Sequence, residues 1–169
     1  MHLIIDGYNL LHVSQSLIQL DSIQLQWERD RLVDQLSAYQ RLKPCEITVV
    51  FDGWRGGWTT EKREKKKGVG LVFSKLGEKA DEVIKRLLKE KGSGAIVITS
   101  DRDIARFAER LGIPVISSEQ FQDKMEQSSI AFDEYRGREE EEEKGGKKKG
   151  LSRRLSKKEK RAKAALKKL

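Results

Sequence analysis

The chain has 169 residues, 37% hydrophobic and 37% charged, with a formal net charge of +8, and this length predicts one domain of ordinary size plus an appendage. Its one cysteine, Cys45, excludes an intramolecular disulfide and favours a reducing compartment. No apolar stretch approaches the roughly 20 residues of a membrane span, and the N-terminus lacks the pattern of a signal peptide, so we expect a cytoplasmic protein with no membrane partner.

The first half of the chain alternates apolar runs with amphipathic or polar segments. Residues 2–6 (HLIID) are apolar and predict a buried strand, and residues 46–52 (EITVVFD) predict a second strand. Between them, residues 22–43 carry leucines at helical spacing and predict a helix that ends before a proline. Residues 53–68 are rich in Gly and Lys and predict a loop, whereas residues 68–74 (GVGLVFS) predict a strand.

The second half continues this alternation. Residues 79–92 predict a helix with one apolar face and a glycine at its end, and residues 95–101 (AIVITSD) predict a third clear strand. A helix over 102–112, a short strand over 113–117 and a helix over 118–125 follow. Apolar strands that alternate with amphipathic helices predict a parallel sheet covered by helices on both faces.

Acidic residues follow three of the predicted strands. Asp6, Asp52 and Asp101 each end an apolar run, and the carboxyl ends of parallel strands lie at the edge of the sheet where sites form. We expect these carboxylates to meet at that edge, together with acids from the predicted helix starts, which are Asp103, Asp81 and Glu82. Taken singly, each acid has an ordinary explanation, because Asp often caps a helix and acids favour a helix N-terminus.

Several carboxylates at one edge predict a divalent cation, since like charges repel unless they are neutralised. Oxygen ligands suit Mg²⁺ or Mn²⁺, and such an ion serves phosphodiester cleavage by activating water and stabilising the leaving oxygen. His2 and His12 lack the HExxH spacing of a zinc site, and Cys45 has no evident His partner. The absence of GxxxxGK[ST] and of GxGxxG after the first strand disfavours nucleoside triphosphate and dinucleotide cofactors.

Four segments of the chain carry a family resemblance. The segments IIDGYNLLH, VVFDG, KADEVIKRL and VITSDRDIARFAERLGIPVIS resemble, in this order, the NYN/PIN-like ribonuclease superfamily and, within it, the YacP-like group of bacterial NYN-domain proteins. The resemblance covers about residues 2–125, and DGYN and TSDRD are its most specific signals. It implies an α/β fold, a PIN-like three-layer α/β/α sandwich around a mainly parallel sheet, and metal-dependent endoribonuclease activity.

The resemblance also implies a set of site residues. The implied catalytic residues are Asp6, Asp81, Asp101, Asn9 and Glu82. The implied metal ligands, for Mg²⁺ or Mn²⁺, are Asp6, Asp81, Asp101, Asp103 and Asp52. The amide of Asn9 suits such a site because it holds a carboxylate or a metal-bound water without adding charge, although Asn is also a common turn or cap residue. We expect Gly7 to permit a tight turn after Asp6.

The predicted loop over 53–68 is a candidate RNA-binding element. Exposed aromatic rings stack on unpaired bases, and cationic side chains hold phosphates. The candidate RNA-binding residues, with one from the helix over 102–112, are Trp54, Arg55, Trp58, Lys62, Arg63, Lys65, Lys66, Lys67 and Arg102. The alternative is that one Trp packs on the core and the lysines only solvate a loop.

The basic charge is concentrated near the C-terminus. Residues 1–135 carry 20 Lys and Arg against 21 Asp and Glu, whereas residues 136–169 carry 15 against 6. We therefore expect a nuclease domain over 1–135, a charged flexible linker over 136–150 and a basic amphipathic helical tail over 151–169. Such a tail indicates RNA or a ribonucleoprotein surface such as the ribosome as its partner, whereas a solubilising tail and, less favoured, a membrane-surface helix are the alternatives.

These patterns together predict a Mg²⁺- or Mn²⁺-dependent endoribonuclease for single-stranded RNA. The resemblance favours mRNA as the substrate and the ribosome as the place of action. One alternative is a non-catalytic RNA- or ribosome-binding protein on the same scaffold. Another is a structure-specific DNA nuclease of the related flap type, but the chain shows no added helical arch or DNA-binding module.

Overall fold

The computed structural model describes residues 1–14, 17, 20–53 and 59–130. The strands are β1 (His2–Asp6), β2 (Glu46–Phe51), β3 (Lys62–Lys66), β4 (Val69–Phe73), β5 (Ala95–Ile98) and β6 (Val115–Ile116). The helices are α1 (Gly7–Ser14), α2 (Ser22–Leu42), α3 (Ala80–Lys91), α4 (Arg102–Arg110) and α5 (residues 118–130). In these described ranges, no helix is both long and apolar enough to cross a membrane. The predicted linker and helical tail lie outside the described residues.

The six described strands form one sheet in the order β3-β4-β2-β1-β5-β6. The central strand β1 pairs in parallel with β2 and β5, β2 pairs in parallel with β4, and β5 pairs in parallel with β6. Strand β3 at the edge is antiparallel to β4. Every residue of β1 is buried, as expected for a strand with neighbours on both sides and helices on both faces. The predicted mainly parallel sheet is confirmed.

Two apolar layers hold the helices against this sheet. On one face, residues such as Leu3 and Ile5 of β1 join the cores of α1, α2 and α5. On the other face, Ile4 of the same strand packs with apolar residues of α3 and α4. Successive side chains of a strand point to opposite faces, so β1 contributes to both layers. The predicted three-layer α/β/α sandwich is confirmed.

The predicted loop over 53–68 is wrong in its second part, because Lys62–Lys66 form β3. The sequence KREKK lacks the apolar alternation of a strand, but an edge strand tolerates charge on both sides. Ion pairs to α2 supplement its pairing with β4, since Lys66 Nζ lies 2.7 Å from Asp30 Oδ1 and Lys67 Nζ lies 2.5 Å from Asp34 Oδ1. The strand forms without a hydrophobic pattern because all five of its residues pair with β4.

Two further elements differ from the sequence-based expectation. The short helix α1 directly follows β1 and was not predicted, because its eight residues are too few to show a clear helical period. The predicted strand over 113–117 is reduced to the two residues Val115–Ile116. The remaining strands, and helices α2, α3 and α4, lie close to their predicted ranges, and α5 reaches beyond the predicted end at residue 125.

Both glycines that follow strand-end aspartates are required by close packing. A Cβ on Gly7 would lie 2.2 Å from Cε1 of the Phe51 ring, and a Cβ on Gly53 would lie 1.8 Å from the backbone oxygen of Ser74. Gly7 begins α1 directly after β1 and does not have a positive φ, so the change of direction there does not depend on a conformation reserved for glycine. Neither position has room for a side chain. At Gly53 the Cβ would overlap a backbone atom, which cannot move aside by changing rotamer.

We expect Gly53→Ala to lower the free energy of unfolding by about 3 kcal/mol, because the new methyl group overlaps a backbone carbonyl. Gly94→Ala is the matched control, since nothing lies within 4 Å of its Cβ position and its φ is not positive. Its effect should stay within about 0.5 kcal/mol. Urea unfolding of the two variants measures the difference, and equal midpoints would contradict the packing explanation.

Candidate active site

Asp6 is a buried carboxylate at the carboxyl end of the central strand. It is 5% exposed, and three donors hold its two oxygens. The Asn9 backbone N–H donates to Oδ1 at 3.1 Å, the Asn9 side-chain amide donates to Oδ2 at 2.6 Å, and the Thr99 hydroxyl donates to Oδ2 at 3.3 Å. Burial raises the pKa of Asp6, the nearby Asp81 carboxylate raises it further, and these hydrogen bonds oppose the rise.

Asn9 has the role in the structure that its chemistry suggests. It lies in the first turn of α1 and gives Asp6 two neutral donors, so it fixes the direction of the carboxylate without adding charge. The same contact joins the end of β1 to the start of α1. The side-chain amide nitrogen of Asn9 thus donates to Asp6, and Asn9 acts on the site as a positioning residue.

Thr99 is a site residue that sequence reasoning did not single out, although it lies within the TSDRD segment. It is 2% exposed and follows β5 directly. Its Oγ1 donates to Asp6 and also accepts the backbone N–H of Asp101 at 3.0 Å. One hydroxyl therefore connects the buried carboxylate of β1 to the loop that begins α4. The only signal in the sequence was a hydroxyl side chain next to the acids of TSDRD. The contact of Thr99 with Asp6 becomes visible only when β1 is seen to pair with β5.

Asp101 is the N-cap of α4. Its Oδ1 accepts the backbone N–H of Asp103 at 2.7 Å and that of Ile104 at 3.1 Å. Helix capping, the ordinary explanation for a strand-end Asp, is therefore correct for Oδ1 of Asp101. Oδ2 receives no hydrogen bond from the described residues, so this oxygen remains available for another partner.

Asp52 caps a helix from a distant part of the chain. Its Oδ1 accepts the Ala80 N–H at 2.6 Å, at the start of α3, where the N-cap residue Lys79 makes no side-chain cap. The side chain that follows β2 therefore orients the helix that carries Asp81. Sequence reasoning placed Asp52 at the correct edge of the sheet but did not identify this contact across 28 residues.

Asp81 connects the acids electrostatically. Burial raises its pKa, the carboxylates of Asp101 and Asp52 raise it further, and the Lys85 ammonium lowers it. Because Asp81 in turn raises the pKa of Asp6, the four acids of β1, β2, α3 and the β5–α4 loop share one electrostatic environment. We call this set the carboxylate cluster: Asp6, Asp52, Asp81 and Asp101.

The other candidate acids and Arg102 lie outside this cluster. Glu82 and Asp103 are exposed on the first turns of α3 and α4, and Asp103 lines a groove with Lys85 and other residues. Arg102 is exposed at the first position of α4. The structure therefore brings together four of the six acids that the sequence places at this edge.

The donors of the carboxylate cluster are all oxygens, the type that Mg²⁺ and Mn²⁺ prefer. Within residues 1–14, 17, 20–53 and 59–130, no three His, Cys, Asp or Glu side chains already converge closely enough to bind one ion together. Mg²⁺ keeps several waters and takes one or two carboxylates from a protein. Asp6 and Asp81 are carboxylates of the type that this mode of binding uses.

The cations predicted to bind RNA are mostly engaged with acids of the chain itself. Trp54, Arg55 and Trp58 lie outside the described residues. Lys62 Nζ lies 3.0 Å from Glu64 Oε2, and Arg63 Nε lies 2.6 Å from Glu61 Oε1. Lys66 and Lys67 pair with α2, as described above, which leaves Lys65 as the exposed cation of β3 without a described ion pair.

Comparisons with known proteins agree with this architecture. The model of the family described as the YacP-like NYN domain matches residues 3–168. The chain is 32% identical over 104 residues to the uncharacterized protein YacP of Bacillus subtilis (strain 168), and this match covers 59% of each protein. A crystal structure of a tryptophan-to-leucine mutant of Rae1 (YacP) from Bacillus subtilis superposes with a TM-score of 0.70 at 23% identity, covering 83% of this chain and 84% of that one.

A second crystal structure of Rae1 (YacP) from Bacillus subtilis has a TM-score of 0.65 at 27% identity, with 85% of this chain and 83% of that chain covered. The resemblance to YacP-like NYN domains that the sequence motifs predict is thereby confirmed. The chain spans 59% of the length of the curated relative.

We expect Asp81→Asn to raise the melting temperature by a few degrees near neutral pH in EDTA. A carboxyl whose pKa is raised by folding binds its proton more readily in the folded chain, so its ionised form destabilises the fold above that pKa. As the pH falls through the raised pKa, wild-type Asp81 takes up a proton and the difference disappears. Thermal unfolding followed across this pH range measures the effect.

The control for this experiment is Glu82→Gln, which removes a charge from the same helical turn at an exposed position. It loses the favourable interaction with the helix N-terminus and relieves no repulsion within the cluster. If Asp81→Asn is no more stable than Glu82→Gln at neutral pH, the carboxylate cluster does not have the electrostatic coupling described above.

Asp52 offers a separate test through its cap of α3. Asp52→Ala removes the acceptor for the Ala80 N–H and should cost about 1 kcal/mol of unfolding free energy. Asp52→Asn keeps an oxygen acceptor and removes a charge near Asp81, so it should be at least as stable as the wild type. Urea unfolding distinguishes the two, and equal destabilisation by Asn and Ala would contradict the capping role.

Proposed function

Because the chain belongs to the YacP-like NYN domain family, which is ribonuclease-like, we propose that it is a metal-dependent endoribonuclease that cleaves single-stranded RNA. The observation that carries the proposal is the carboxylate cluster at the carboxyl edge of the sheet. Four acids from separate parts of the chain share one electrostatic environment there, and one of them is buried and held by three hydrogen bonds. A bound cation would neutralise the repulsion among these carboxylates, which explains why the chain carries four of them at one edge.

The proposed cofactor is Mg²⁺ or Mn²⁺, held by Asp6 and Asp81, with Asp101 and Asp52 acting directly or through water. When bound, such an ion supplies a water of lowered pKa and stabilises the charge that develops on the leaving oxygen of a phosphodiester. The all-oxygen donor set supports this choice over zinc, which favours His and Cys ligands.

The chain's own residues prepare this site by orientation. Asn9 and Thr99 hold both oxygens of Asp6, so the carboxylate has one direction before any substrate arrives. Thr99 also positions the backbone of Asp101, and Asp52 positions the helix that carries Asp81. Each acid of the cluster is thus placed by a hydrogen bond or by a helix end, which limits the reorganisation needed on binding.

The finer proposal concerns substrate and place. We propose mRNA as the RNA, in the cytoplasm, with residues 136–169 contacting the ribosome, because 15 Lys and Arg against 6 acids suit a phosphate-rich surface. The competing hypothesis is an RNA- or ribosome-binding protein without catalysis. It is favoured by the caps that Asp52 and Asp101 provide, since these give two of the four acids a purely structural use.

Asp6→Asn should abolish cleavage while RNA binding persists. Loss of residues that merely orient metal ligands costs about 10–100-fold in activity, so replacing a proposed ligand should lower the cleavage rate at least about 100-fold. The measurement is the rate of cleavage of labelled single-stranded RNA with Mg²⁺ or Mn²⁺, both free and on translating ribosomes. Asp123→Asn, an exposed acid on α5, is the matched control and should cleave normally.

Two further arms separate the competing functions. EDTA should stop cleavage and added Mg²⁺ or Mn²⁺ should restore it, whereas single-stranded DNA of the same sequence should stay intact. Cleavage that survives Asp6→Asn or EDTA contradicts the proposed site. A wild-type protein that binds RNA but cleaves none, with or without ribosomes, supports the non-catalytic alternative.

A further inference from the structure

Two groups of described cations differ in their partners. Those of β3 and its turn mostly pair with carboxylates, and Arg86 of α3 pairs with Glu61 and Glu78. A second group lies on the outer sides of α3 and α4 and makes no salt bridge with any described residue: Lys85, Lys89, Arg106 and Arg110. Within the part of the chain that the structure describes, no ion pair neutralises these four side chains.

Three cations of the second group, Lys85, Arg106 and Arg110, line an open groove between α3 and α4, which we call the α3–α4 groove, and Lys89 lies beside it, next to the Phe107 ring. The volume of the groove is about 610 Å³, and it is lined by Lys85, Asp103, Arg106, Phe107, Glu109 and Arg110. The two acids in this lining mean that the positive charge is not uniform. Binding of a polyanion here depends on discrete cationic positions.

Two of the cations, Lys89 and Arg110, lie beside the ring of Phe107, at the end of the groove farther from the cluster. The ring is half-buried against the core of α3 and α4. Lys89 Nζ lies 5.5 Å from its centroid and Arg110 Cζ lies 5.6 Å from it. An aromatic ring attracts cations, so Phe107 holds both charges beside the same ring.

The groove lies beside the carboxylate cluster, since Asp103 of its lining donates its backbone N–H to Asp101. Both helices start at the carboxyl edge of the sheet, and Lys85 is near enough to Asp81 to lower its pKa. Along α3, Lys89 lies one turn beyond Lys85, about 6 Å farther from the cluster by the rise of an α-helix. Arg110 follows Arg106 at the same interval on α4. The cations are thus arranged at two levels, one helical turn apart, at increasing distance from the cluster.

We propose that the α3–α4 groove binds the phosphate backbone of single-stranded RNA next to the cleavage site, with Lys89 and Arg110 as a phosphate-binding pair. This inference rests on the proposed ribonuclease function. The cluster itself repels a polyanion, and a substrate therefore needs compensating charge close by. The paired cations of β3 supply less compensating charge, because each must break its ion pair with a carboxylate before it can bind a phosphate.

The test compares two double variants of the full-length protein. Lys89→Gln with Arg110→Gln removes two charges in and beside the groove, and Lys66→Gln with Lys67→Gln removes two charges from β3 and its turn. Both change the net charge equally, and exposed ion pairs contribute little to stability, so both should remain folded, as a thermal melt verifies. The probe is a fluorescently labelled oligouridylate, titrated in EDTA at several salt concentrations.

We expect the groove variant to bind the oligouridylate several-fold more weakly at low salt. The slope of log K against log salt should become shallower by about 1.4, since each phosphate contact with a single strand contributes about 0.7. The β3 variant should lose less of the slope, because Lys66 and Lys67 are already paired with carboxylates of α2. Equal changes in both variants, or an unchanged slope in the groove variant, overturn the proposal.

The outcome is distinguishable from failure of the ribonuclease function. If the groove variant loses slope but the wild type cleaves no RNA, the groove binds RNA and the proposed catalysis is wrong. If the wild type cleaves RNA in an Asp6-dependent manner but the groove variant keeps its slope and its cleavage rate, catalysis stands and the groove assignment is wrong.

Discussion

Burial of one carboxylate at the end of the central strand is the constraint on which the rest of the site depends. Asp6 loses most of its hydration, and this cost is tolerable only because Asn9 and Thr99 supply three hydrogen bonds. Those donors come from the helix after β1 and from the end of β5, so satisfying Asp6 joins two neighbouring strands. Through Thr99, the same contact also positions Asp101.

Structural and chemical uses of the acids coincide at this edge because of how a parallel sheet is built. Helices that follow the strands begin here with backbone N–H groups that lack partners. Asp52 and Asp101 each satisfy such groups with one oxygen, at the starts of α3 and α4. The caps hold the acids in place, and their mutual repulsion appears in the raised pKa of Asp81. A cap and a cation-binding role are therefore compatible in one residue.

Much of this was accessible from the sequence, and the misses have identifiable causes. The apolar strands β1, β2 and β5 and the acids after them were recognisable because burial on both faces demands continuous hydrophobicity. Strand β3 was missed because it forms by pairing with β4 at the edge of the sheet, which its charged local pattern does not reveal. Thr99 was missed since a hydroxyl has no distinctive spacing.

The sequence by itself determined the strands and helices other than α1 and β3, the family, and which acids end strands, since hydrophobic period and short motifs are local properties. The tertiary structure decided which of those acids share an environment, that Gly7 is needed to make room for Phe51, and which cations are already neutralised. These depend on strand order and on contacts between residues distant in sequence. Local chemistry constrains such contacts and does not specify them.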